Sequence, residues 1–405
     1  MSVGSSQTTS PGLPDVLDKW LAGHESDLID IRQDLHRHPE VAHEEHRTTD
    51  LIVQRLKEIG LSGVVLSGGT GVICNIGSGG RIVALRSDID ALPLPDRKDV
   101  PYRSEVPGVC HACGHDAHTA VLLGTAEVLA ELAADGSLPG TVRLFFQPAE
   151  EHLPGGSLEV IANRGMRDVE QVYALHCDPR IDVGQIGLRA GPITAASDSV
   201  EVRLSGPGGH TGRPHLTVEL VYALGRIITD LPGLLSRRVD PRAAFSVVWG
   251  SVQAGQAGNA IPSSGVVRGT IRLLDRSVWD GAEDIVRTLV QQIVVPTGAH
   301  AEVEYLRGVP PVVNDAVSVE LQRIALVAAL GANAVTGTDQ SMGGEDFAWY
   351  LDHAPGALAR LGVHTPGAHR VDLHQSAFDI DERALAIGVR FMTHLAVTAL
   401  QHPRR

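Results

Sequence analysis

The sequence predicts an α/β fold: a mostly parallel sheet with helices on both faces forms a catalytic domain, interrupted by an inserted ferredoxin-like α+β domain. Three observations predict it. Short β-branched runs alternate with helix-period stretches up to about residue 194. From about residue 197 the order changes to strand, helix, two strands, helix, strand, the order of a split βαβ unit. The first rhythm then resumes. The expected parts are residues 1–194, the first part of the catalytic domain; 195–308, the insert; and 309–405, its second part.

Taken in order, residues 16–37 and 43–59 carry apolar positions at helical spacing, broken at His38-Pro39 and stopped by Gly60. Residues 71–76 and 81–86 read as strands joined by a Gly-rich turn. The second leads to Asp88 and Asp90, at a strand end where open α/β sheets present ligand groups. Residues 116–135 have a helical period with Asp116 as N-cap, so Cys113 and His115 fall on the loop that feeds this helix. Residues 141–146 form an apolar strand ending in Gln147-Pro148-Ala149-Glu150-Glu151, and 171–175 another ending in His176. In the insert, 199–204, 244–252, 266–274 and 302–305 read as strands, and 216–235 and 278–293 as helices. Residues 326–330, 344–351, 357–363 and 382–400 resume the alternation and bring His374.

A net charge of −14 argues against a nucleic-acid surface, which needs a basic stripe. Residues 1–14 are polar, without the basic start and apolar core of an export signal, and no run approaches the ~20 apolar residues of a membrane span. The expectation is a cytoplasmic protein without a membrane partner. Four clustered cysteines in such a chain point to metal or chemistry before disulfides.

The chemistry centres on residues 109–118, where three imidazoles and two thiols would be hard to bury together without a metal or a redox partner; the stretch reads as the core of a metal site. Cys113, His115, Glu151, His176 and His374 would supply the ligands of a dinuclear site for zinc or a similar first-row divalent ion. Glu150, adjacent to a ligand, suits a general base acting on water acidified by the ions. Asp88 and Asp90 suit the second layer, where a carboxylate fixes a ligand imidazole's tautomer; on that ground Asp90 is counted with Glu150 among the catalytic residues. His118, one helical turn from His115, fits either that layer or plain packing. Cys110 and Cys113 alone would read as a redox pair, but redox motifs of this spacing follow a strand and lack flanking histidines.

These motifs together resemble one family. Arg86-x-Asp88-x-Asp90-Ala91-Leu92-Pro93, His111-Ala112-Cys113-Gly114-His115-Asp116, Gln147 to Glu151, Leu175-His176, Gly208-Gly209-His210 with His215, Ser341-Met342-Gly343-x-Glu345-Asp346-Phe347 and Leu373-His374 are similar to the amidohydrolase branch of the aminoacylase/carboxypeptidase metallopeptidases. That branch holds hippurate hydrolases, N-acyl-amino-acid amidohydrolases and hydrolases of auxin–amino-acid conjugates. The resemblance implies the same five ligands, with Cys113 a candidate bridge, and Glu150 as acid/base. It implies two divalent ions per subunit, zinc or manganese, with cobalt or nickel possible in vitro. It also implies a homodimer formed through the insert, with His210 polarising the scissile carbonyl and Asn259 and Arg272 binding substrate polar groups. The chain departs from many relatives at Gln375-Ser376, where they have Asn-Pro, and at Gly344, where they often have Ser.

The function that follows is hydrolysis of the amide bond of an N-acyl amino acid or similar small conjugate. Dipeptidase, aminopeptidase or carboxypeptidase activity on the same scaffold is the nearest alternative. A metal-dependent binding protein without turnover is another, opposed by the retained Glu150.

Overall fold

The computed structural model describes residues 12–402. The Ser/Thr/Gly-rich start lies, through Pro11, outside them. An eight-stranded sheet runs in the order Val64–Val65, Val72–Ile76, Thr141–Gln147, Ile82–Asp88, Val169–Asp182, Gly356–His364, Ile186–Leu188, Val335–Gly337. The four central strands, from Thr141–Gln147 to Gly356–His364, are mutually parallel. Antiparallel pairs flank them on both sides. Central strands covered on both faces must be apolar on both, and Ile82–Asp88 is buried from Val83 onward.

The two faces are covered unequally. Helices Leu13–Arg37, His115–Ala134, Ala316–Leu330 and Arg383–Gln401 build the larger core, which includes Trp20, Leu129, Leu326 and Phe391. The other face holds a smaller core around Phe145, Phe347 and Tyr350, under the short Ser157–Ala162 helix and the 3-10 turn Asp346–Asp352. The expected helix at 344–351 is this 3-10 turn. Two helices, His115–Ala134 and Arg383–Gln401, are long and apolar enough to cross a membrane by length and composition, though neither is an unbroken apolar run; 72% of each apolar window is buried in the core.

The insert has its own antiparallel sheet, Ser246–Ala254, Ser264–Arg272, Ser197–Ser205, His300–Val309, with helices Leu220–Arg238 and Ala282–Val294 packed on it. Numbered along the chain this is strand order 2-3-1-4, the ferredoxin-like arrangement. A separate core joins Val202, Leu224, Ile271 and Val290. At its root, Asp198 accepts hydrogen bonds from Trp279 Nε1 (2.8 Å), Tyr305 Oη (2.6 Å) and the Gly308 amide (2.9 Å).

Candidate dinuclear metal centre

Strand ends and one loop converge on the site. Asp88 closes the Ile82–Asp88 strand, Glu150 and Glu151 follow Thr141–Gln147, and His176 lies in Val169–Asp182. The loop carrying Cys113 turns into the His115–Ala134 helix at Gly114, whose φ is +88°. A Cβ there would lie 2.8 Å from Cys177 Sγ, so only glycine permits the turn. His115 is therefore the first residue of the helix, and Gly114 occupies the N-cap. Asp116 is not the cap predicted from its residue type. Its Oδ2 is held instead by Arg32 Nε (2.8 Å) and His36 Nδ1 (2.7 Å), and the charge-assisted bond to the guanidinium outcompetes a backbone N–H for the carboxylate.

Tautomers decide which imidazoles can ligate. His115 Nδ1 lies 2.9 Å from the Asp90 carbonyl and 3.2 Å from Asp90 Oδ1, so it donates, leaving Nε2 buried and without a hydrogen-bond partner. His176 Nδ1 donates to the Cys177 carbonyl at 2.8 Å, leaving Nε2 3.5 Å from Cys113 Sγ. His118 differs. Its Nδ1 is 2.5 Å from Asp88 Oδ1 and its Nε2 accepts the Cys177 amide at 2.8 Å, so both nitrogens are in use and His118 holds Asp88 in place. His111 is buried against the His36 ring and stands outside the cluster.

Ligand atoms of Cys113, His115 and His176 lie within 4.8 Å of one another, as do those of Cys113, Glu151 and His374, and those of His115, Glu150 and Glu151. His374 Nε2 is 3.1 Å from Glu151 Oε1, and its amide donates to the Ala112 carbonyl at 2.8 Å, tying the late loop to the early one. Asp90 joins two ligands: besides His115, its Oδ2 accepts the Glu151 amide at 2.9 Å. Ala149 and His374 both adopt left-handed backbone, φ +53° and +60°, a strain of order 1 kcal/mol each, concentrated where side chains must be aimed.

The electrostatics favour positive charge here. Burial alone would lower His115, yet Asp88, Asp90 and Glu151 raise it to about 10. Burial, then Glu345, Glu151 and Asp346, pushes the Glu150 carboxyl well above its ordinary range. Cys113 is raised by burial and by Glu151, Glu150 and Asp88. Nitrogen, sulfur and carboxylate donors, with the Nε2 atoms of two imidazoles turned into the cluster amid excess acid, fit a pair of first-row divalent ions, whose charge would take the place of the protons. All four cysteines are free thiols, and burial raises Cys110 to about 11, the opposite of a redox thiol.

Beneath Glu150 lies a group that sequence reasoning quoted only as motif. Buried Arg86 binds Gln147 Oε1 (2.9 Å), Asp88 Oδ2 (2.7 Å), Glu345 Oε1 (3.1 Å) and Asp346 Oδ1 (2.8 Å), with Tyr350 donating to Gln147. An arginine two residues before a site carboxylate was the available signal.

Above the ligands opens a cleft of ≈ 520 Å³, within the range of small-molecule sites. Cys113, Glu150, Glu151, His176 and His374 line it, and Arg272 reaches it from the insert. His210 and Asn259 do not. They lie side by side on an exposed tip of the insert, where His210 pairs with Ala260, its Nδ1 accepts the Gly212 amide, and the Asn259 carbonyl accepts the Thr211 amide. Gly344 also lines the cleft; a Cβ on it would lie 2.8 Å from Ser197 Cβ and 2.9 Å from Val309 Cγ2, so serine does not fit without moving the root of the insert.

Residues 84–398 match the sequence pattern described as Peptidase family M20/M25/M40. A Rhodococcus jostii (strain RHA1) relative with the provisional name glutamate–cysteine ligase 2-3 is 46% identical over 378 residues, 93% of this chain and 47% of that one. This chain thus spans about half of that relative's length. N-acetyl-L-cysteine deacetylase of Bacillus subtilis (strain 168) is 39% identical over 363 residues, 89% of this chain and 85% of the relative. A crystal structure of a Bacillus subtilis protein described as a dinuclear metal-binding peptidase of the M20 family superposes with a TM-score of 0.82 at 33% identity, over 94% of this chain and 99% of that one.

Proposed function

The chain belongs to peptidase family M20/M25/M40, a metal-dependent amide-bond hydrolase, and from that premise we propose that it hydrolyses N-acyl amino acids with Glu150 as acid/base and Cys113, His115, Glu151, His176 and His374 holding two ions. One observation carries the reading: two imidazoles oriented by their Nδ1 bonds meet the Cys113 thiol at one point, and the Glu151 carboxylate lies near that thiol and near His115 beside half-buried Glu150.

Zinc or manganese bound there would supply Lewis acidity toward the amide carbonyl and would acidify water. The protein's own part is proton transfer and orientation. Glu150 takes a proton from the attacking water and delivers it to the amide nitrogen; the C–N bond breaks and leaves a carboxylate and a free amine. Asp90 holds His115 in the tautomer that presents Nε2, and Asp88, fixed by Arg86 and His118, borders the same point. Arg272 offers its guanidinium to a substrate polar group. His210 and Asn259 would join on movement of the insert or from a second copy in a homodimer, His210 then polarising the carbonyl. Residues 195–308 serve in this proposal as lid and dimerisation domain, with 1–194 and 309–405 as the two parts of the catalytic domain. Four free thiols suit a cytoplasmic location.

The test is release of free amine from N-acetyl, N-benzoyl and N-indoleacetyl amino acids and from dipeptides, with manganese or zinc and with chelator. Chelator-sensitive release from the acyl amino acids is expected. Release from dipeptides alone would make the protein a dipeptidase, and no release would leave a metal-dependent binding protein.

A further inference from the structure

The described residues hold three arginines buried to 5% exposure or less near the site or its supporting helices, and two are saturated. Arg32 is paired with Asp116, Asp379 and Glu382. Arg86 is paired with Asp88, Glu345 and Asp346. Arg360 is the exception. It sits in the middle of the buried Gly356–His364 strand, directly across from His176 in the parallel register, and lines the same cleft as Cys113, Glu150 and His176. Its Nε has no partner, and no hydrogen bond or ion pair is made by its guanidinium among the described residues. Glu345, Asp178 and Cys113 are the acidic groups near it, and each is engaged elsewhere: Glu345 with Arg86 and the Phe347 amide, Asp178 with Arg180, and Cys113 Sγ with His176 Nε2.

A guanidinium stays charged at any ordinary pH, and burying one unpaired is costly. Such a group, without a protein partner and inside a substrate cleft, is suited to receive an anion. Its planar fork matches a carboxylate through two parallel N–H bonds, a geometry that an ammonium cannot supply. Arg272 enters the same cleft from the insert, so the cleft offers a cation from each domain.

We infer that Arg360 is a specificity-determining residue that binds a carboxylate of the substrate in the floor of the cleft. The inference rests on the proposed amidohydrolase reading for the identity of that substrate. Two carboxylates could fill the subsite, the α-carboxylate of the amino acid or one ending the acyl chain. If Arg272 takes the first and Arg360 the second, the preferred substrate is an N-acyl amino acid whose acyl group is a dicarboxylic half-amide.

The test uses Glu150→Gln protein loaded with zinc, which keeps the ligand intact, and four probes: N-acetyl-L-alanine, N-acetyl-L-alaninamide, N-succinyl-L-alanine and N-succinyl-L-alaninamide. Calorimetric titration compares this protein with the same protein carrying Arg360→Gln. The expected result is an about 10- to 100-fold weaker binding of the probes bearing one particular carboxylate, and a change under about 2-fold for the probe lacking both. Loss confined to the succinyl probes assigns the acyl end; loss confined to the free alanines assigns the α-carboxylate. Equal loss for all four probes, or none, would overturn the inference. Arg360→Lys keeps the charge without the fork and is expected to lie between. Should Arg360→Gln fail to fold by circular dichroism, Glu150→Gln protein that binds carboxylate and carboxamide probes equally would still overturn it. Amine release by the unaltered enzyme is measured in parallel. No release from any probe refutes the amidohydrolase reading, while the titration still decides the subsite.

Discussion

Two buried polar clusters lie back to back around the His115–Ala134 helix, and they are balanced in different ways. On one side, Arg32 joins Asp116, Asp379 and Glu382, while His36 bridges Asp116 to Asp96, which also pairs with Lys98. Acids there meet protein cations. On the other side, Asp88, Asp90, Glu150, Glu151, Glu345 and Asp346 crowd around Cys113 and the imidazoles of His115, His118, His176 and His374, and the guanidinium bonded to them among the described residues is that of Arg86. The lesson is one of charge bookkeeping: the first cluster pairs its acids within the protein, as a structural network does, whereas the second leaves carboxylates in excess, as the divalent ions proposed above require.

Exchanging single groups between the clusters should separate the two roles. The largest effect is expected from Glu150→Gln, an about 10²- to 10⁴-fold drop in kcat with two ions still bound, read by turnover and elemental analysis. Wild-type turnover in that variant would remove Glu150 from the mechanism. Arg32→Met should cost about 3–5 kcal/mol in urea unfolding, because Asp116 loses its buried cation, with ion stoichiometry unchanged in the folded fraction. A loss of ions without a loss of stability would erase the distinction. Asp90→Asn should weaken ion affinity about 10- to 100-fold in competition with a chromophoric chelator, since it sets the His115 tautomer and holds the Glu151 amide.

The smallest effect concerns acid. Burial alone would raise Asp96, but its bonds to His36 and to the Lys98 and Ser104 amides, with the Lys98 charge, hold it below the usual carboxylate range. A depressed folded pKa means that its contribution is full above the unfolded value, near ~4, and is lost as pH falls toward the folded one. Asp96→Asn should therefore flatten the decline of unfolding free energy below pH ~4; an unchanged slope would detach Asp96 from that network.

Much of this was legible in the sequence because strand ends concentrate function. Glu150 and Glu151 follow an apolar strand, and Cys113 and His115 precede a long apolar helix, so local pattern alone brings them out. What decides between His115 and His118 is not local: the carbonyl of Asp90 frees one, while the amide of Cys177 and the carboxylate of Asp88 occupy the other. Asp116 has the residue type and position of a cap, but Arg32 and His36 from the first helix claim it. Arg360 was invisible because one arginine within Ala357-Leu358-Ala359-Arg360-Leu361-Gly362 does not disturb a strand pattern. Its meaning appears only when burial and the lack of a partner are seen together. His210 and Asn259 were found by resemblance and lie outside the cleft of this chain.

The strand Gly356–His364 sits between Val169–Asp182 and Ile186–Leu188, with the whole insert intervening in sequence. On the ribosome this imposes an order of events. Residues 197–309 can close their own sheet as soon as they emerge, whereas Val169–Asp182 must wait, with one edge open, for a partner translated about 180 residues later. Arg360 arrives with that partner and His374 after it, so a nascent chain already holding Cys113, His115 and Glu151 lacks the last of the five proposed ligands until residue 374 emerges. Assembly of the proposed site is thereby coupled to the integrity of residues 356–374.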